Sequence, residues 1–109
     1  MKSCVFCKIR DRIIPKEFTY EDDDVMVFPD INPIKPVHIL IIPKRHIKDF
    51  LDINDIVLWE KLRKITRNMI RKFKLENKGY RVGINGGGAQ IIDHLHFHLL
   101  GPLGKAVKM

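Results

Sequence analysis

Cysteine is almost absent from this chain: of 109 residues only Cys4 and Cys7 carry a thiol. No disulfide scaffold can be built from one pair three positions apart, and the C-x-x-C spacing reads as metal binding or redox chemistry in a reducing compartment, the cytoplasm. Long apolar runs are missing as well. The longest, Val37 to Pro43, falls far short of the ~20 residues of a membrane helix. Lys2, Lys8 and Arg10 break up the first ten residues, against a secretory signal. Repeats, low-complexity tracts and Gly/Ser linkers are lacking, so one domain over 1–109 is expected, burying roughly two thirds of its unfolded-chain surface. Aromatics are few, 8% of the chain. This bears on the net charge of +7, because residues 44–81 hold 12 Lys/Arg against 5 Asp/Glu while the remainder balances. Without interleaved aromatics, a solvated helix face is the preferred reading over a nucleic-acid platform.

What is present alternates strand and helix signals. Val5 to Arg12 suits a short helix ending before Pro15, and Phe18 to Glu21 and Val25 to Phe28 read as a hairpin around Asp22, Asp23 and Asp24. Pro29, Pro33 and Pro36 enforce a loop displaying Asp30, Ile31 and Asn32, after which Val37 to Ile42 is a β-branched buried strand. From Ile53 to Glu76 there is no Pro or Gly; Ile56, Trp59, Leu62, Ile65, Met69, Ile70 and Phe73 recur at helical spacing. One long amphipathic helix is predicted there, capped by Asp52 or Asn54 and ended by Gly79. Tyr80 to Asn85 and Leu95 to Leu100 complete five strands, so the class is α+β with an antiparallel sheet, one short N-terminal helix and one long central helix.

The chemistry concentrates in the last strand. Side chains alternate with period two, so His94, His96 and His98 share one face and Leu95, Phe97 and Leu99 the other. Three imidazoles on one face exceed what packing requires, and a group titrating near 6.5 serves as nucleophile, proton donor or metal ligand. A catalytic metal on these three is disfavoured, because no carboxylate is spaced to accompany them.

The run His94-Leu95-His96-Phe97-His98-Leu99-Leu100 resembles the signature of the histidine triad (HIT) superfamily. The similarity extends through Cys4 to Ile9, Phe28 to Pro33, His38 to His46, and Asn85 with its glycines before Gln90. The Hint branch, nucleoside phosphoramidate hydrolases, is the one it looks like most. The resemblance implies a HIT-like fold and a groove that binds a purine nucleoside monophosphate conjugate and breaks a bond at its α-phosphorus. By that analogy His96 is the nucleophile, forming a covalent nucleotidyl-histidine. The carbonyl of His94 orients it, His38 supports the cluster, and His98 bonds phosphate or leaving group. Asn85 and the amides around Ala89, Gln90 and Ile91 would add phosphate donors. Asp30 would accept from the ribose, with Phe6, Ile9, Phe28, Ile31 and Leu40 walling the base.

Further expectations follow from the resemblance. A structural zinc is expected on Cys4, Cys7, His46 and His94, a donor set suited to tetrahedral coordination, while the hydrolysis itself needs no metal. A homodimer is expected too, with Val57, Leu58, Trp59, Ile65, Met69 and Ile70 offering more apolar helix surface than one small sheet covers. The chain departs from the Hint pattern at Ile91, where a serine is common, and at Asp93, often apolar. Isoleucine has no side-chain hydrogen bond to give a leaving group. Two alternatives remain: a dinucleoside polyphosphate hydrolase of the Fhit type, and a zinc-stabilised nucleic-acid-binding module recognisable by salt-dependent binding. Neither nucleic acid nor a membrane is an expected partner.

Overall fold

The computed structural model describes residues 4–105. In chain order these form α1 (Val5–Arg10), β1 (Tyr20–Glu21), β2 (Val25–Pro29), β3 (Val37–Pro43), a 3-10 turn (Phe50–Asp52), α2 (Ile56–Lys72), β4 (Arg81–Ile84) and β5 (Phe97–Gly101). The five strands make one antiparallel sheet in the order β1-β2-β3-β5-β4. No helix among the described residues is long and apolar enough to cross a membrane.

Burial on both faces explains why β2 and β3 are nearly continuous apolar runs. One face carries Val25, Val27, Ile39, Ile41, Phe97 and Leu99 against Leu58, Leu62, Ile65 and Met69 of α2. The other carries Met26, Phe28, Leu40 and Ile42 against Phe6, Cys7 and Ile9 of α1. Across this second face the pairing register aligns Phe28, Leu40 and His98 in one row.

The acidic turn works through one side chain. Asp22 Oδ1 accepts from the amides of Asp24 and Val25 at 2.8 and 2.9 Å, closing the β1–β2 hairpin. Strand β1 is shorter than the expected Phe18 to Glu21, and α1 ends at Arg10 rather than Arg12, whose φ of 65° is incompatible with a helix.

The long helix is three residues shorter at its start and four at its end than the Pro- and Gly-free span from Ile53 to Glu76. Its N-cap is Asp55, not Asp52 or Asn54: the Asp55 carboxylate accepts from the amides of Val57 and Leu58. Asp52 is spent in the preceding 3-10 turn, itself capped by Asp49. At the other end, Leu75 N–H bonds Ile70 O and Lys74 N–H bonds Arg71 O, both at 3.0 Å. This is a Schellman closure with Lys74 in the left-handed position at φ 58°. Leu75, 1% exposed, is what the closure buries. Gly79 does not end the helix. It sits further on at φ 80°, where any Cβ would collide with the backbone of Gly104.

A lysine held where glycine is preferred implies relievable strain. Lys74→Gly is expected to stabilise the fold by about 0.5 to 1 kcal/mol after the entropy cost of a new glycine, read as a raised denaturation midpoint; an unchanged or lowered midpoint contradicts the strain.

Candidate functional site

All five histidines fall on the α1 side of the sheet or at its edge, and backbone groups of fixed sign orient three of their ring atoms. The expected strand from Leu95 begins only at Phe97, because Leu95 N–H is drawn to Ile47 O at 2.6 Å, ahead of the β3–β5 ladder. Alternation survives nonetheless: Leu95, Phe97 and Leu99 enter the α2-side core, while His94, His96 and His98 point the other way.

His96 Nδ1 lies 2.7 Å from His94 O. A carbonyl only accepts, so His96 carries its proton on Nδ1 and leaves a lone pair on Nε2. The opposite polarity runs through His38. Ile34 N–H reaches His38 Nδ1 at 3.2 Å, which puts the His38 proton on Nε2, 2.9 Å from His98 Nδ1. His98 therefore accepts at Nδ1 and carries its own proton on Nε2. That Nε2 is buried and has no hydrogen-bond partner among the described residues. The rings of His96 and His98 are 4.9 Å apart, so a lone pair and an N–H donor stand side by side. Burial, followed by the nearby His96 and His38, pushes the His98 pKa down to about 4, keeping this donor neutral at physiological pH.

Both rings line a cavity of about 350 Å3, the size range of small-ligand sites. Of the residues expected there, Phe6, Ile9, Phe28, Asp30, Ile31, Leu40, Asn85 and Ile91 line it as well. Ala89 and Gln90 do not. Gln90 is buried, its amide donating to Lys48 O at 3.2 Å and accepting from Gly88 N–H at 3.0 Å, so it braces the glycine loop. Ile91 is 99% exposed at the cavity wall. Sequence reasoning missed Val5, Ile14, Lys16, Asn32 and Ile92, which also line it; Asn32 was read only as displayed in the proline loop. A carboxylate does accompany the histidines, contrary to expectation: Asp30 Oδ2 is 3.3 Å from His38 Nε2. Chain folding, not spacing in sequence, brings them together.

A second cluster adjoins the first. One ligand atom each from Cys4, Cys7, His46 and His94 lies within 4.8 Å of the others. Cys4 Sγ is 3.2 Å and Cys7 Sγ 3.6 Å from His94 Nδ1, and Cys7 Sγ is 3.3 Å from His46 Nδ1. These separations suit the sulfur–nitrogen edge of a zinc tetrahedron, about 3.6 Å for ordinary bond lengths. His94 Nε2 is 2.7 Å from Pro43 O, an acceptor, so its proton sits there and Nδ1 offers a lone pair to the thiols. Burial lowers the His94 pKa to about 4, and a neutral imidazole is the ligating form. The residues fit a metal.

Residues 3–108 match the family described as scavenger mRNA decapping enzyme C-term binding. An uncharacterised HIT-like protein of Buchnera aphidicola is 42% identical over 106 residues, covering 89% of this chain and 90% of its own. The chain belongs to the histidine triad family. Among solved structures, a HIT family hydrolase from Clostridium thermocellum is 40% identical with a TM-score of 0.91, covering 100% of this chain and 98% of its own. A Zn-bound HIT protein from Mycobacterium smegmatis is 29% identical with a TM-score of 0.84, covering 96% and 78%. The five-stranded sheet with two helices is thus the HIT fold, and the chain is a HIT-family hydrolase-like protein.

The depressed pKa of His98 has a consequence for stability. Between pH 6.5 and about 4 the unfolded chain protonates this imidazole while the folded chain does not, so stability falls as pH drops through that window. His98→Gln, which cannot protonate, is expected to flatten the fall in denaturation midpoint measured from pH 7 to pH 4.5; an unchanged slope would assign the loss to other groups.

Proposed function

We propose that this HIT protein hydrolyses a purine nucleoside phosphoramidate or related nucleotide conjugate at its α-phosphorus, through a covalent nucleotidyl-histidine on His96. The carrying observation is the opposed polarity of the two neighbouring rings, a free lone pair on His96 Nε2 beside an unpartnered N–H on His98. In this reading the His96 lone pair attacks phosphorus and the bond to the leaving group breaks. The amine takes up one proton from solvent as it departs; water then attacks phosphorus, restores His96 and releases one proton to solvent, so the cycle closes. His98 Nε2–H bonds the phosphoryl oxygen or the leaving atom throughout, and the His38 chain holds that donor in place. Asn85, on the cavity wall, adds a polar contact to the phosphate, and Asp30 receives the ribose hydroxyls.

Cys4, Cys7, His46 and His94 would hold a structural zinc, clipping α1 to the sheet and stiffening the segment whose carbonyl orients His96. We also propose that the protein pairs with a second copy through the edge strand β4. Tyr80 and Val82 beside and on that strand are 44% and 41% exposed, and with Trp59 and Ile70 of α2 they line a shallow groove. Leu58, Ile65 and Met69 belong to the subunit's own core instead, so only part of the helix's apolar surface is available for this.

Native mass spectrometry of protein purified without chelators is expected to give a dimer carrying one zinc per chain. A monomer would overturn the pairing, and metal-free chains would overturn the zinc. His96→Ala is expected to abolish turnover of adenosine phosphoramidate while retaining nucleotide binding, and brief incubation of the parent protein with substrate should trap a nucleotidyl adduct on His96. Turnover surviving in the variant would remove the covalent mechanism.

A further inference from the structure

One charged side chain of the cavity has no part in the chemistry above. Lys16 lines the cavity, half-buried, with its Nζ 4.9 Å above the centroid of the Phe28 ring. It forms no ion pair among the described residues, although its neighbours in sequence and space do: Arg12 pairs with Glu21, and Lys44 with the same carboxylate. An ammonium resting on a ring face is weakly held relative to one bonded by a carbonyl or carboxylate. Lys16 is therefore a cation available to a ligand that offers it oxygen or nitrogen acceptors.

Its place in the cavity specifies which end of the ligand it meets. In the sheet register Phe28 on β2 and His98 on β5 are separated by Leu40 on β3, so about two strand spacings, roughly 10 Å, lie between them. From the nucleophile the rings run His96, Phe6, Phe28, with centroids 5.1 and then 5.9 Å apart, and Lys16 caps the last. If phosphorus is at His96 and the ribose at Asp30, the base lies over Phe6 and Phe28, and the ammonium stands at the base's outer edge. The phosphate is at the opposite end, so Lys16 does not serve it.

We infer that Lys16 reads the base and selects guanine over adenine, an inference that rests on the nucleotide-hydrolase reading above. Guanine presents O6 and N7, two acceptors on one edge; adenine presents N7 beside an N6 amino donor, which an ammonium repels. In an apolar pocket where Lys16 is the lone lysine or arginine on the wall among the described residues, moving the ammonium from the Phe28 face onto that acceptor pair replaces a cation–π contact with charge-assisted hydrogen bonds. Hypoxanthine keeps O6 and N7 and lacks only the exocyclic amine, so it belongs with guanine. Phe6, Phe28 and Leu40 supply stacking and packing that do not distinguish purines, whereas the Lys16 ammonium, seated on Phe28, meets the O6 and N6 edge with charge.

Calorimetric binding of GMP, IMP and AMP to the full-length protein tests this. GMP and IMP are expected to bind about tenfold more tightly than AMP, the low end for a good bidentate contact because Lys16 is half-exposed. Lys16→Met should bring the GMP to AMP ratio close to one, and Lys16→Arg, which keeps a donor fork, should retain it. Equal affinities in the parent protein overturn the inference while leaving the hydrolase reading intact. IMP grouping with AMP, or a guanine preference persisting in Lys16→Met, assigns the selection to another group and also overturns it. Absence of binding by all three nucleotides overturns the hydrolase reading and this inference with it. The parent-protein comparison stands even if a variant fails to fold.

Discussion

A backbone carbonyl can only accept a hydrogen bond and a backbone amide can only donate one, and this fixed sign governs the whole site. The carbonyls of His94 and Pro43 draw protons to His96 Nδ1 and His94 Nε2, and the amide of Ile34 drives the proton of His38 to Nε2. Each imidazole would otherwise be free to exchange tautomers. With the polarities set, His96 offers a lone pair to the cavity, His98 a proton, and His94 a lone pair to the thiols. Backbone groups set these polarities, and the one carboxylate nearby, Asp30, approaches His38 Nε2 at 3.3 Å.

The arrangement makes the two histidine clusters mechanically continuous. His94 faces Cys4 and Cys7 through its ring and orients His96 through its carbonyl. Helix α1, with six residues, is too short to persist alone. It is held by Phe6, Cys7 and Ile9 against the sheet, and Phe6 meets both His94 and His96 edge-on at 5.7 and 5.1 Å. Whatever ties the cysteines to the imidazoles therefore also positions the floor of the cavity and the His96 ring.

The loop after β4 is organised on the same economy. Asp49 accepts from Gly87 N–H at 2.7 Å and from Leu51 N–H at 3.1 Å, so one carboxylate both caps the 3-10 turn and anchors the glycines. Gln90 closes the other side onto Lys48 O. Between these anchors the chain is carried from Asn85 to Ile91, both on the cavity wall, without a regular element.

The order of strands and helices, the two apolar faces, and the sharing of one face by three histidines were legible in the sequence, because period-two and period-3.6 burial is a local property of the chain. The HIT motif pointed to the histidine row for the same reason: His94, His96 and His98 are neighbours. Element ends were less legible. Helix α2 stops at a left-handed Lys74 because Leu75 must reach the core, and that demand outweighs the local preference for glycine that pointed to Gly79. Only the tertiary structure set Asp30 beside His38, Lys16 on Phe28, and Ile34 N–H against the His38 ring. Those contacts join segments through the sheet register and the proline loop; the His94 carbonyl that orients His96 is a local neighbour, whereas the Pro43 carbonyl meets His94 only once the chain has folded.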